Sequence, residues 1–210
     1  MTDIEKYCKL VTDKKLTCVG HDRLIGAFRK VEDVIQQNVP GAIVECGTYK
    51  GGCLALMARA AIESGRLVWG FDTFEGIPIP GEKDGKKSKG RGGSNDLNAS
   101  LEVAWSSFDV LGVPHSSIKL VKGLFQDTIH TVKADIGPIA VLRLDGDWYE
   151  STKVCLENLY DQVSFGGYII IDDYGHWEGC KLAVDEFLTT RNITVELSKT
   201  DYTERWWKKV

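Results

Sequence analysis

An α/β fold built on a mostly parallel sheet, with helices on both faces, is the fold class this sequence predicts. Three observations carry that reading. Short apolar runs alternate with helical stretches, two of the runs end in paired carboxylates, and the first run passes straight into a glycine-rich turn. The carboxylates are the most informative. Ile139-Ala-Val-Leu-Arg-Leu144 leads into Asp145-Gly-Asp147, and Gly167-Tyr-Ile-Ile-Ile171 leads into Asp172-Asp173. Residues 151–163 between them read as one amphipathic helix, so the segment is a strand–helix–strand crossover joining parallel strands. If these strands are neighbours, four carboxylates meet at the carboxyl edge of one sheet, where open α/β folds bind ligands. Two carboxylates about 4 Å apart repel by about 4 kcal/mol at an effective dielectric of about 20. Such a site keeps protons or holds a cation.

The remaining elements follow in order. Residues 1–38 read as a helical segment lying mostly at the surface, with Leu24, Phe28, Val31, Val34 and Ile35 at helical spacing. Pro40-Gly41 ends it, and residues 39–210 form the main domain. Ala42 to Cys46 is the first strand, and Cys53 to Glu63 an Ala/Leu/Met-rich helix stopped at Ser64-Gly65. Leu67 to Phe71 is a second strand ending at Asp72. Residues 78–98 are rich in Pro, Gly, Lys, Arg, Ser and Asn, the composition of a long mobile surface loop. Helix returns over residues 101–111, and Ile118 to Lys122 is a third strand leading to Gly123. After the two acid-tipped strands a helix spans residues 180–190, and residues 193–197 and 202–208 read as a closing strand pair.

Composition narrows the class. The chain has 210 residues, 43% hydrophobic and 27% charged, which suits one soluble domain. A net charge of −4 argues against general affinity for nucleic acid or an anionic membrane surface. The six cysteines form no Cys-x-x-Cys pair, and several lie in apolar stretches, as reduced core cysteines do. The amino terminus is polar, and no apolar run nears the roughly 18 residues of a membrane span. A cytoplasmic location is expected.

Glu45-Cys-Gly-Thr-Tyr-Lys-Gly-Gly52 lies between strand and helix, where glycines let a ligand approach backbone amides. A structural turn would explain the glycines alone. Asp72, at the next strand end, occupies the place where doubly wound folds put the acid that grips ribose hydroxyls. Together they favour a nucleoside-containing ligand. The spacing is neither G-x-G-x-x-G nor a P-loop, which weakens an NAD-dependent oxidoreductase. Glu45 argues against a pyrophosphate and for a cationic ligand part, such as an amino group or sulfonium.

At these residues the chain resembles S-adenosylmethionine-dependent methyltransferases, and more narrowly the TylF-like (macrocin O-methyltransferase) family. Four stretches carry the resemblance: residues 44–52, Gly70-Phe-Asp-Thr-Phe-Glu-Gly-Ile-Pro78, Leu144-Asp-Gly-Asp-Trp-Tyr-Glu-Ser-Thr152, and Ile171-Asp-Asp-Tyr-Gly-His-Trp-Glu-Gly-Cys180. It implies a Rossmann-like class I methyltransferase fold with a mostly parallel seven-stranded sheet. It implies that Glu45, Gly47 and Asp72 help bind S-adenosylmethionine, with Thr48, Tyr49, Gly51, Thr73, Gly123 and Asp145 completing the cofactor wall. It further implies that Asp145, Asp172 and Asp173 ligate Mg²⁺ and that Asp147 is the general base.

The chemistry is self-consistent. Mg²⁺ takes oxygen ligands in octahedral geometry and keeps positions for water or substrate. Coordination lowers the pKa of a bound hydroxyl, and a nearby carboxylate takes the proton as methyl transfer begins. A single strand-end aspartate is more often a cap or a solvated turn; four at two strand ends favour a metal. His176 is a second catalytic candidate, orienting substrate or acting as a rival base, although a loop histidine is usually a plain polar residue. Trp148, Tyr149 and Trp177 flank the site, and core packing explains each of them as well as substrate stacking does. Tyr49 packs on cofactor or fills core. Cys46 and Cys53 have no visible base. Lys83, Lys86, Lys87, Lys89 and Arg91 make the 78–98 loop either a solvated segment or a lid over an anionic acceptor.

The expected activity is methyl transfer to a hydroxyl of a small molecule, a sugar or glycosylated natural product first. A catechol or phenolic acceptor is the alternative, and a non-catalytic cofactor-binding module is the reading from another class. A small-molecule acceptor is the expected partner, and a homo-oligomer, a dimer, stays open.

Overall fold

The computed structural model describes residues 2–93 and 97–210. Its seven-stranded sheet comprises β1 (Ala42–Cys46), β2 (Val68–Asp72), β3 (Ile118–Lys122), β4 (Ile139–Leu144), β5 (Val163–Ile171), β6 (Ser198–Lys199) and β7 (Arg205–Lys208), in the order β3-β2-β1-β4-β5-β7-β6. β3 to β5 along that order are parallel, and β7 joins β5 antiparallel. Among the described residues seven α-helices accompany it: α1 (Asp3–Asp13), α2 (His21–Gln36), α3 (Gly52–Ala60), α4 (Leu101–Val110), α5 (Phe125–Ile136), α6 (Tyr149–Leu159) and α7 (Glu178–Thr190). The expected α/β class with a mostly parallel sheet is the one observed.

Strand periodicity builds two cores. Ile43, Val141 and Ile170 face α1 to α4, where Val11, Leu24, Val31, Leu54 and Phe108 are buried. Val44, Leu142 and Ile169 face the opposite way, onto Ile129, Leu156 and Val184 of α5, α6 and α7. Fully burying one such aliphatic side chain stabilises the fold by about 1.5–3 kcal/mol. The N-terminal segment departs from its expected surface position. Leu24, Ala27, Phe28, Val31 and Val34 of α2 are all buried against the sheet, because the apolar stripe spans a full helix face and needs a partner.

Chain order reverses at β1, which has β2 on one side and β4 on the other. There the strand tips close up: Asp145 N donates to Cys46 O at 2.8 Å and Gly47 N to Phe71 O at 2.8 Å. Gly47 has φ +98°, and a Cβ on it would lie 1.8 Å from Asp145 O. Only glycine fits there.

Three differences from the sequence reading stand out. α5, between β3 and β4, was not expected. Residues 193–197 are not a strand; Ile193, Val195 and Leu197 pack on the core without ladder bonds, and the closing pair is β6 with β7. The lysine-rich loop is docked over residues 78–93, with Asp84 and Ser88 each only 2% exposed. Its residues 94–96 lie outside the described residues. Among the described residues no helix is long and apolar enough to cross a membrane, and all six cysteines are free.

Candidate active site

A cavity of about 370 Å³ opens above the carboxyl ends of β1, β2, β4 and β5. Register explains its floor. Glu45 and Arg143 are direct neighbours across β1 and β4, and both point to the α1–α4 face. Arg143 is fully buried; its Nη1 donates to Glu45 Oε1 and to Asp145 Oδ2, each at 2.8 Å, and its Nη2 to Asp172 Oδ1. Arg23, from the first turn of α2, donates to the other Asp172 oxygen and lies 3.1 Å from Asp201. The sequence reading treated Arg143 as one member of an apolar run and did not single out Arg23.

The acids nevertheless outnumber these cations. Ligand oxygens of Asp145, Asp172 and Asp173 all lie within 4.8 Å of one another. Asp173 is 8% exposed and has no ion pair among the described residues. Burial, reinforced by Asp147, Asp145 and Asp172, pushes its carboxyl well above the usual range. Burial raises Asp172 to about 7 against the opposing pull of Arg143. Glu45 is raised by burial to about 7, again opposed by Arg143. For Arg143 itself, burial works against the charge, but Asp172, Cys53, Asp145 and Glu45 outweigh it and raise its pKa.

Asp147 stands apart from the trio. It has φ +60°, uncommon for a residue with a side chain. Trp177 Nε1 donates to its Oδ1 at 2.7 Å, and its own amide donates to Asp173 Oδ2 at 3.2 Å. Burial, then Asp145, raises it to about 7. His176 lines the same cavity, its Nδ1 2.9 Å from Tyr202 Oη and 3.4 Å from Lys87 Nζ. Burial, Lys87, Arg91 and Arg23 hold its pKa below the ordinary value, which favours the neutral ring.

The other candidates divide. Glu45, Gly47, Thr48, Tyr49, Asp72 and Thr73 line the cavity, as do Asp145, Asp147, Asp172 and Asp173. Asp72 is organised by the turn: Tyr49 N donates to Oδ2 at 2.7 Å and Phe74 N to Oδ1 at 2.8 Å. Gly51 and Gly123 do not line it. Gly51 caps the amino end of α3 at φ +84°, and a Cβ there would lie 2.8 Å from Ala104 O of α4. It serves helix packing. Gly123 borders a separate shallow groove beside Lys122 and Thr73.

This strand order, with a glycine turn after β1 and an acid closing β2, defines a class I methyltransferase. Known proteins narrow the class. The family model for macrocin O-methyltransferase (TylF) matches residues 11–209. Demethyldecarbamoylnovobiocin O-methyltransferase of Streptomyces niveus is 40% identical over 203 residues, 92% of this chain and 75% of that protein. The 8-demethyl-8-(2,3-dimethoxy-alpha-L-rhamnosyl)-tetracenomycin-C 4'-O-methyltransferase of Streptomyces olivaceus is 35% identical over 198 residues, 91% of this chain and 75% of that one. The solved structure of the O-methyltransferase NovP superposes with a TM-score of 0.84 at 40% identity, covering 92% of this chain and 81% of its own. The chain belongs to the macrocin O-methyltransferase (TylF) family and is an O-methyltransferase.

Proposed function

We propose that this enzyme moves a methyl group from S-adenosylmethionine to a hydroxyl of a glycosylated small molecule, with Mg²⁺ held by Asp145, Asp172 and Asp173. One observation carries the reading: the three converging carboxylates open on the same cavity as Glu45, Thr48 and Asp72. The donor set suits a hard divalent cation, being all oxygen and only partly neutralised by Arg143 and Arg23. Asp173, buried without a cationic partner among the described residues, is the acid with most to gain. For the methyl donor, Glu45 Oε2 is buried with no hydrogen-bond partner among the described residues, which fits a cationic amino group.

Bound at the trio, Mg²⁺ would acidify a coordinated hydroxyl. The chain's own residues do the rest. Asp147 accepts the acceptor's proton, and a pKa near 7 suits a base at neutral pH. Trp177 holds one oxygen of Asp147 and leaves the other for substrate. Neutral His176, with Tyr202, forms a polar wall that orients the acceptor rather than taking its proton. Burial of the floor keeps bulk water from the reacting centre. Sugar-bearing acceptors come first because the S. olivaceus relative is named for a rhamnosyl-bearing one.

The test is transfer from labelled S-adenosylmethionine to a panel of glycosylated and catechol acceptors, with Mg²⁺ or with EDTA. Mg²⁺-dependent labelling of a glycosylated acceptor is expected. Labelling that survives EDTA sinks the metal, and labelling of catechols alone replaces the acceptor class.

A further inference from the structure

Asp84 lies in the lysine-rich loop, where an acid would ordinarily be solvated, yet it is 2% exposed. Its Oδ2 accepts from Gly81 N at 2.7 Å, and its Oδ1 from Tyr149 N, the first amide of α6, at 2.6 Å. A Cβ on Gly179, in the first turn of α7, would lie 1.9 Å from Asp84 Oδ1. One carboxylate therefore sits where the amino ends of two helices converge, a position helix dipoles favour for negative charge. These two helices follow the two acid-tipped strands. α6 begins two residues after Asp147, and α7 five residues after Asp173.

The rest of the loop is tied down along the same line. Trp148 Nε1 donates to Pro78 O at 2.7 Å, and Lys83 Nζ to Tyr149 Oη at 2.7 Å, while Tyr149 Oη donates to Glu186 of α7 at 2.5 Å. Lys87 Nζ donates to His176 O at 3.0 Å and lies 5.2 Å from the centre of the Trp177 ring. Arg91 covers the same ring at 5.8 Å. Trp177 in turn donates to Asp147. Asp84 thus anchors the loop, and Lys87 and Arg91, three and seven residues further along the same loop, reach the indole that holds the base.

We propose that Asp84 is a positioning residue for methyl transfer, docking the lysine-rich loop onto α6 and α7 and so fixing Trp177 against Asp147. The proposal rests on the reading of Asp147 as the base. A plain surface turn would need neither the burial of Asp84 nor the glycine at 179.

The experiment compares the full-length wild type with D84A and D84N. Tryptic cleavage after Lys83, Lys86, Lys87, Lys89 and Arg91 reports the loop. The Trp177 indole N–H resonance, assigned with W177F, reports the base's donor, and kcat, acceptor KM and S-adenosylmethionine affinity report the site. D84A is expected to be cleaved about tenfold faster, to shift the Trp177 resonance, and to lose about tenfold in kcat with donor affinity within twofold. D84N keeps an oxygen for Tyr149 N but turns a donor toward Gly81 N, so it falls between. Unchanged cleavage and resonance in D84A overturn the proposal, as does unchanged kcat with a released loop. If D84A does not fold, an unaltered Trp177 resonance in D84N overturns it equally. A wild type inactive on every acceptor counts against the proposed function, and the cleavage and resonance readings still decide the role of Asp84.

Discussion

Arg143 lets three acids share one sheet edge. A buried guanidinium bonded to Glu45, Asp145 and Asp172 cannot be removed without leaving carboxylates unpaired. Breaking a buried pair of this kind costs about 3–5 kcal/mol. Arg143→Met is therefore expected to lose about that much stability in urea denaturation, and Arg143→Lys part of it, because an ammonium cannot fork between three partners. At Asp147 the expectation is kinetic. Asp147→Asn should cut turnover about 100-fold or more, the usual range for losing a general base, while Mg²⁺ affinity by calorimetry stays within twofold. Equal loss of metal in Asp147→Asn and Asp145→Ala would mean the two roles are misassigned. The acids were legible because strand ends can be located from pattern alone. The arginine was not, since its partners depend on the register of β1 against β4. A signal did exist: a charged residue inside a buried strand needs a partner, and Glu45 sits at the matching place in the neighbouring strand. For Trp177 the sequence supports packing and stacking equally, and only the fold turns its indole N–H onto Asp147.

At the scale of elements, the turn between β1 and α3 is a packing device as much as a ligand cradle. Gly47→Ala forces a methyl into the space of Asp145 O and strains a backbone at φ +98°. It should separate the β1 and β4 tips, weakening S-adenosylmethionine binding at least tenfold by calorimetry while the far-UV spectrum is kept. Binding within twofold of wild type would show that the tips can part without cost to the cavity. Gly51 makes room for α4 instead. β1, β3 and β4 were readable to the residue and β2 to within one, because apolar side chains mark each; β5 begins at Val163, four residues before the predicted Gly167, where Ser164 and Gly166 interrupt the apolar run. α5 escaped notice although its boundary signs were present: Gly123 before it, Asp127 in its first turn, Lys133 in its last, Gly137 after it. Only Ile129 and Ile136 of this helix are buried, so its apolar stripe is thin. Residues 193–197 misled for the opposite reason. Alternating apolar side chains there satisfy a core without any strand to pair with, and pattern cannot distinguish the two.

Across the whole molecule, the acid cluster ties stability to pH. Glu45, Asp147 and Asp172 are held at about 7 and burial pushes Asp173 well above the usual carboxylate range, against about 4 for unfolded carboxyls. The folded chain therefore keeps protons that the unfolded chain has lost between about pH 4 and 7, and stability falls as the pH rises through that window. EDTA-treated protein should show a lower Tm at pH 8 than at pH 5, and Mg²⁺ should restore more of it at pH 8. A flat profile would mean that the arginines already keep the cluster ionised. The same edge is closed by parts of the chain that carry none of the methyltransferase motifs. α2 sends Arg23 to Asp172 and Asp201, and buries Lys30 3.6 Å from Glu204, in the turn before β7. Lys208 of β7 reaches back to Asp33 of α2 at 2.8 Å. A chain cut after residue 196 would keep the glycine turn and every acid of the cluster, but lose Tyr202 from the cavity wall and the clasp that holds α2 against the cluster. During synthesis, then, the recognisable enzyme exists before the working one: the site can close only after the hairpin has left the ribosome and gripped a helix made long before it.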